Sequence, residues 1–180
     1  MEIMLIKKIV LTGPESTGKS TLTKQLSEYY KMPMISEIAR NYVANLNRPY
    51  TQKDVVEIAK LQINAEQKII KQQPEIIFLD TDLIITKIWL IHRYSDCPMF
   101  VDKHLRENPA HLHLLCYYDI QWEYDSVREN PDLREYFFDK YLDEIKFYSL
   151  NYKIIKGTGE KRFENAVKLI NMHSCCMSQK

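Results

Sequence analysis

Glycine is scarce in this chain, with 4 residues in 180. Ordinary usage is about 7%, so a motif that needs two glycines at fixed spacing stands out from background. Cysteine gives no CxxC pair and no metal-ligand spacing; Cys97, Cys116, Cys175 and Cys176 fit reduced thiols of a cytoplasmic protein. The histidines at 92, 104, 111, 113 and 173 make no HExxH pattern, and no structural metal is expected. No apolar run approaches the ~20 residues that cross a bilayer. Excess charge of one sign is missing too: 25 basic residues against 24 acidic give a net charge of +1. That balance leaves no global field to recruit nucleic acid or an anionic membrane. The opening MEIMLIKKIVLTG has Glu2 and lysines among its apolar residues and no small-residue cleavage site, so a first strand is expected there rather than a leader.

What is present alternates. Lys7 to Thr12 is a β-branched apolar segment ending at a glycine, which suits a buried parallel strand. Leu22, Leu26, Tyr29 and Tyr30 share one helical face, and Pro33 closes that helix. MPMIS up to Glu37 predicts a second strand, followed by a helix over 38–46. Thr51 with Asp54 forms a capping-box signature opening a helix to about Gln72, with Val56, Ala59, Ile63 and Ile70 as its apolar stripe. EIIFLD supplies the next strand and Leu83 to about Tyr94 the next helix. Residues 95–109 are irregular or hold a short helix, and His111 to Tyr117 is another strand. A charged, aromatic stretch over 118–132 precedes a helix marked by Leu133, Phe137, Tyr141 and Ile145. Tyr152 to Ile155 is the last strand, and Phe163, Ala166, Val167 and Ile170 mark the last helix. This alternation predicts one α/β domain over 1–180, a parallel sheet covered on both faces, with 174–180 fraying.

Between the first strand and first helix lies Gly13-Pro14-Glu15-Ser16-Thr17-Gly18-Lys19-Ser20, which fits GxxxxGK[ST] in the strand-to-helix context the motif requires. The glycines let backbone N–H groups converge on phosphate oxygens, and the helix start adds its positive dipole end. Lys19 can reach the β- and γ-phosphates, and Ser20 can offer a hydroxyl to Mg²⁺. Residues 15–21, including Thr21, are therefore candidates to hold ATP together with Gly13.

In open α/β sheets ligands bind beyond the carboxyl ends of the strands. Asp80 and Asp82 follow EIIFL, where a carboxylate can hold Mg²⁺ or simply cap the next helix. Glu37 ends the second strand with Arg40 one turn on; they can serve as base and substrate ligand, or form a surface pair at i, i+3. Arg128 and Arg134 lie in a polar stretch over about 119–135, suited to a mobile lid that neutralises charge during phosphoryl transfer. Gly157, within Lys156-Gly157-Thr158-Gly159, can let backbone approach an adenine ring. Trp89 is expected in the core rather than as a ligand platform, while Tyr94 fits either role.

Together GPESTGKST, ISEIARNYV, FLDTDLIIT and DIQWEYDSVREN with Arg134 give the chain a resemblance, over almost its whole length, to the ribosylnicotinamide kinase domain of the NadR family and its stand-alone P-loop relatives. The resemblance implies a five-stranded parallel sheet in the order 2-3-1-4-5 and transfer of the ATP γ-phosphate to the 5′-hydroxyl of a ribosyl pyridine nucleoside, a step of NAD biosynthesis. It carries over Gly13, Gly18, Lys19, Ser20, Glu37, Arg40, Tyr42, Asp80, Asp82, Asp125, Arg128 and Arg134. Two positions depart from the pattern. Ser36 stands where such kinases can place an aromatic residue before the glutamate, and Ser126 replaces the usual lid glycine. No HxGH string accompanies the kinase motifs, so only the kinase part is matched.

Two functions are thus expected to compete. One is an ATP- and Mg²⁺-dependent nucleoside kinase, acting on nicotinamide riboside, in which Glu37, Asp80 and Asp82 share the roles of base and metal ligand. Its partners would be MgATP and a small nucleoside, with monomer and homo-oligomer both open. The other is a regulatory P-loop ATPase acting on a protein partner. No LSGGQ signature marks a transporter ATPase, and no NKxD marks a GTPase. An aromatic pocket near Glu37 and Tyr42 would favour the kinase, and a flat patch the regulator.

Overall fold

The computed structural model describes residues 6–124 and 131–177. The sequence expectations at Asp125, Ser126 and Arg128 lie outside the described residues. Strands β1 (Lys7–Thr12), β2 (Met34–Ile35), β3 (Ile76–Asp80), β4 (Leu112–Cys116) and β5 (Tyr152–Ile155) form one sheet in the order β2-β3-β1-β4-β5, every pairing parallel. The helices are α1 (Lys19–Tyr30), α2 (Ile38–Ala44), α3 (Gln52–Ile70), α4 (Leu83–Tyr94), α5 (Met99–Glu107), α6 (Arg134–Phe147) and α7 (Gly159–Met177), with a 3₁₀ turn at Pro131–Leu133. α7 stays helical to Met177, into the stretch expected to fray. Among the described residues, no helix is long and apolar enough to cross a membrane.

Alternation along the strands decides what lies where. Ile9, Leu11, Ile76, Phe78, Leu112, Leu114 and Cys116 face α1 and α7, meeting Leu22, Leu26, Ala166 and Ile170. Val10, Ile77 and Leu79 face the other way and pack with Ile38, Ala65 and Ile69, while Leu115 joins the α4–α5–α6 layer around Leu83, Val101, Phe138 and Ile145. Both faces of β1, β3 and β4 are thus sealed, which is why Ile9–Leu11, Ile76–Leu79 and Leu114–Cys116 read as unbroken apolar runs.

The α3 stripe is corrected by one position. The buried face is Val55, Ile58, Ala59, Gln62 and Glu66, while Ile70 is exposed. Two polar residues on the buried face misled the periodicity. Glu66 is satisfied there by Gln62 Nε2 at 3.1 Å and Lys8 Nζ at 3.5 Å, and burial pushes its carboxyl pKa up. The capping signature is real: the Asp54 carboxylate accepts from the Thr51 N–H at 2.7 Å and hydroxyl at 2.6 Å.

The α4–α5–α6 layer is tied by a buried lysine. Lys87 Nζ lies 2.8 Å from Glu144 Oε2 and 2.8 Å from the Tyr148 hydroxyl, with its charge over the Phe147 and Tyr148 rings. The Tyr148 hydroxyl donates in turn to Asp102. Deleting one partner of such a pair strands the other charges in apolar surroundings. Lys87→Ala is therefore expected to cost about 2–3 kcal/mol, read as a fall in melting temperature of roughly 5–10 °C. An unchanged melting temperature would show the pair to be solvated.

Candidate active site

The phosphate loop follows β1 at the carboxyl edge, where strand register sets Leu11 beside Asp80 and Thr12 beside Leu115. Gly13 (φ 131°) has room for nothing larger: a Cβ there would sit 2.7 Å from the Cys116 carbonyl oxygen. Gly18 caps α1 in the left-handed region (φ 73°), as does Ser16 (φ 54°). The loop is braced by its own side chains. Thr17 donates from Oγ1 to the Pro14 carbonyl at 2.8 Å, and Lys19 Nζ donates to the same oxygen at 2.7 Å. Ser16 Oγ accepts the Glu123 N–H at 2.9 Å, and Thr21 is exposed on the first turn of α1.

Asp80 shares the face of Ile76 and Phe78, so it points toward α1. Its carboxylate is buried, and burial, helped by the Glu37 charge, raises its pKa above the ordinary value against the opposing pull of the nearby Ser20 hydroxyl and Lys19. Oδ1 has no hydrogen-bond partner among the described residues. A desolvated carboxylate with one idle oxygen beside a serine hydroxyl is a donor set that fits Mg²⁺. Among the described residues no three His, Cys, Asp or Glu side chains converge as a metal cage, so the remaining ligands of such an ion would be phosphate and water.

One cavity of about 400 Å³ opens from the loop. Gly13, Glu15 and Lys19 form its phosphate end, and Glu37 and Arg40 line its side, with Arg40 Nε 3.3 Å from Glu37 Oε2. Trp89 is expected in the core, but the structure places it half-buried on the cavity wall. Trp89 lines the cavity with Tyr50 and Phe137, its Nε1 donating to the Tyr50 hydroxyl at 3.0 Å and its ring meeting Tyr50 edge-on at 4.7 Å. Arg93 stacks its guanidinium 4.9 Å from the Tyr50 ring centre. Tyr141 closes the floor, and burial, reinforced by Glu37 and Glu15, pushes its hydroxyl pKa far above the usual range, keeping it a neutral donor. The signal for this wall was present in the sequence: Ile85, Ile88, Trp89, His92 and Arg93 fall at spacings of three, four, seven and eight along α4, all on the cavity side.

Three expected site residues sit elsewhere. Asp82 caps α4, accepting the Ile84 N–H at 3.0 Å, and its other oxygen meets His113 Nε2 at 2.8 Å on the opposite face of the sheet from Asp80. Strand alternation would have kept Asp82 on the face of Asp80; β3 ends at Asp80, and Thr81, at φ 78°, turns the chain before the capping bond holds Asp82 on the other side. Tyr42 stands behind the cavity wall, donating to Asp54 at 3.1 Å, while Arg48 grips Asp54 at 2.7 and 2.9 Å and does line the cavity. Tyr94 does not line it. Arg134, at the start of α6, donates to the carbonyls of Ser16 at 3.3 Å, Ile120 at 2.8 Å and Tyr118 at 3.1 Å, which ties α6 to the phosphate loop. Gly157 (φ 98°) has its N–H bound by Asp119 and its carbonyl by Arg162.

A 2-3-1-4-5 parallel sheet, a braced GxxxxGKS loop and a serine–aspartate pair facing it define a P-loop protein with the fold of nucleoside and nucleotide kinases. Residues 8–162 match the family model described as AAA domain, and the chain belongs to that family. Among solved structures it is similar to a NadR protein in complex with NR (TM-score 0.81, 21% identity, covering 93% of this chain and 51% of that one). A NadR protein in complex with NAD and AMP-PNP superposes at TM-score 0.76 with 20% identity, covering 93% and 49%. The thymidylate kinase of Ehrlichia chaffeensis gives TM-score 0.62 at 16% identity, covering 93% and 98%. The chain thus spans about half the length of the NadR proteins it matches.

Because the ionised Asp80 is costly to bury, Asp80→Asn is expected to raise the melting temperature of the ligand-free protein at neutral pH. The gain should shrink as pH falls through the raised pKa, where the wild-type carboxyl takes up its proton and sheds the same cost. The same variant should lose the Mg²⁺-dependent part of its affinity for ATP. Melting curves across acid and neutral pH, with titration of ATP with and without Mg²⁺, check both; a variant less stable at neutral pH would overturn the assignment of burial as the dominant cost.

Proposed function

We propose that this protein transfers the γ-phosphoryl group of ATP to a hydroxyl of a small nucleoside, with nicotinamide riboside, giving nicotinamide mononucleotide, as the acceptor of choice. The observation that carries this reading is one continuous cavity running from Lys19 and Gly13 past the Glu37–Arg40 pair to an aromatic wall of Tyr50, Trp89 and Phe137. A planar base suits that wall, where aromatic faces offer stacking and Arg93 and Arg40 supply polar contacts. The wall also answers the missing aromatic at Ser36, since the rings come from the loop before α3, from α4 and from α6 instead. A similar NadR protein was solved with NR bound, which favours the same acceptor class.

In this reading ATP lies with its phosphates in 13–21, Lys19 neutralising the β- and γ-oxygens, and its base toward the β4–β5 side near Gly157. Ser20 and Asp80 would hold Mg²⁺, and such an ion would withdraw charge from the phosphates. Glu37 takes the proton of the acceptor hydroxyl; with Asp82 turned into a cap and Asp80 assigned to the metal, Glu15 and Glu37 are the carboxylates lining the cavity, and Glu37 is the one paired with Arg40 on its side, away from the phosphate end. The new O–P bond forms as the bond between the β-phosphate bridging oxygen and the γ-phosphorus breaks, and ADP leaves. Asp125 and Arg128 stay assigned to acceptor and lid by resemblance. Arg134 is assigned to charge neutralisation from α6. Tyr42 keeps the acceptor side in place through Asp54.

A panel of nucleosides, nicotinamide riboside among them, incubated with MgATP and read by product mass should show one acceptor gaining a phosphate. Glu37→Gln should then lower kcat by about 10²–10⁴-fold with the KM for ATP little changed. Slow ATP hydrolysis with no acceptor phosphorylated would instead favour the regulatory ATPase.

A further inference from the structure

Arg162 opens the first turn of α7 and is 3% exposed, a deep burial for a guanidinium. Nη1 donates to Asp119 Oδ1 at 2.7 Å and to the Gly157 carbonyl at 2.6 Å. Nη2 donates to the carbonyls of Thr17 at 3.0 Å and Tyr117 at 2.9 Å. Asp119 closes the ring, its Oδ2 accepting the Gly157 N–H at 2.7 Å. One side chain thus joins the loops that follow β1, β4 and β5. None of Arg162, Asp119, Thr17 or Gly157 lines the acceptor cavity.

The consequence lies in peptide geometry. A trans peptide is planar, with its C=O and N–H pointing in opposite directions. Drawing the Thr17 carbonyl back toward α7 therefore aims the N–H of the same peptide, that of Gly18, forward out of the loop. Arg134 does the same one peptide earlier through the Ser16 carbonyl at 3.3 Å, which aims the Thr17 N–H. Positive φ at Ser16 and Gly18 supplies the alternation in which successive N–H groups converge on an anion. Left to itself such a loop can rotate its peptides; a charged donor behind a carbonyl holds the orientation before the ligand arrives.

We infer that Arg162, locked by Asp119, is a positioning residue that presets the anion-binding amides of the phosphate loop through the Thr17 carbonyl. The inference rests on the reading that 13–20 binds the phosphates of ATP, but not on any acceptor. Lysine cannot replace the fork, because a point charge cannot serve four acceptors in one plane. The variants Arg162→Lys, Arg162→Met and Asp119→Asn, with Lys87→Met as a destabilised control remote from the loop, should be titrated calorimetrically with inorganic triphosphate and with Mg²⁺ and the non-hydrolysable analogue AMP-PNP. Both ligands should bind Arg162→Lys more weakly by about tenfold or more, the scale of one lost charge-assisted hydrogen bond. Asp119→Asn should fall between it and the wild type, and the Lys87 variant should bind normally despite a lower melting temperature. Should Arg162→Met fail to fold, the lysine and asparagine variants still decide the matter. Unchanged triphosphate affinity in folded Arg162→Lys would overturn the inference, as would a loss confined to AMP-PNP, which would move the role of Arg162 to the base. Failure of the wild type to bind either ligand would overturn the phosphate-loop reading itself, and this inference with it.

Discussion

Parallel pairing of β1 with β3 on one side and β4 on the other governs the rest of the molecule. All strands then end at one edge, and each must connect through a helix to the far end of the sheet, so the edge is left to loops. The phosphate loop, Asp80, Glu37 and the Arg162 latch are what the chain places there. Register makes them neighbours: Leu11 lies beside Asp80, and the Gly13 Cα is so close to the Cys116 carbonyl that a side chain is excluded.

Charges taken out of water recur through this fold, and each is handled by pairing. Lys87 is surrounded by Glu144, Tyr148 and Asp102, Glu66 by Lys8 and Gln62, and Arg162 by Asp119 and three carbonyls. Asp80 differs. With one oxygen idle among the described residues, its burial is only partly compensated, and a cation brought with nucleotide phosphates would complete it. Stability given up at such a carboxylate is what a binding site draws on.

The two sides of the loop have different characters. Toward β2 and β3 lies a cavity with an aromatic wall and paired charges, and toward β5 lies a closed hydrogen-bonded ring. Among the described residues the cavity of about 400 Å³ opens on the first side. Its aromatic residues come from α4, from α6 and from the segment before α3, where Arg48 is held by Asp54 together with Tyr42. Tyr42 is tied to that wall through Asp54 and Arg48, without lining the cavity itself.

Much was legible along the chain because local rules cover it. Alternation of apolar runs, the Thr51–Asp54 cap, the glycine pair at 13 and 18 and the carboxylates at strand ends needed only neighbours within a few residues. The sheet order came through resemblance, and the structure has it. What the linear order could not decide is which way a side chain turns when local and distant partners compete. Asp82 became a helix cap because His113, 31 residues away, takes its second oxygen. Trp89 left the core because Tyr50 offers its hydroxyl across a cavity, and the α3 stripe shifted because Lys8 makes a buried glutamate tolerable. Arg162 gave no motif at all, since its four acceptors lie on loops that only the closed sheet brings within 3.0 Å. The sequence by itself determined the phosphate loop and the elements around it, through short-range geometry; which side chains close the cavity wall and which tie the loop from behind were decided by long-range pairing of polar groups, which short-range rules do not reach.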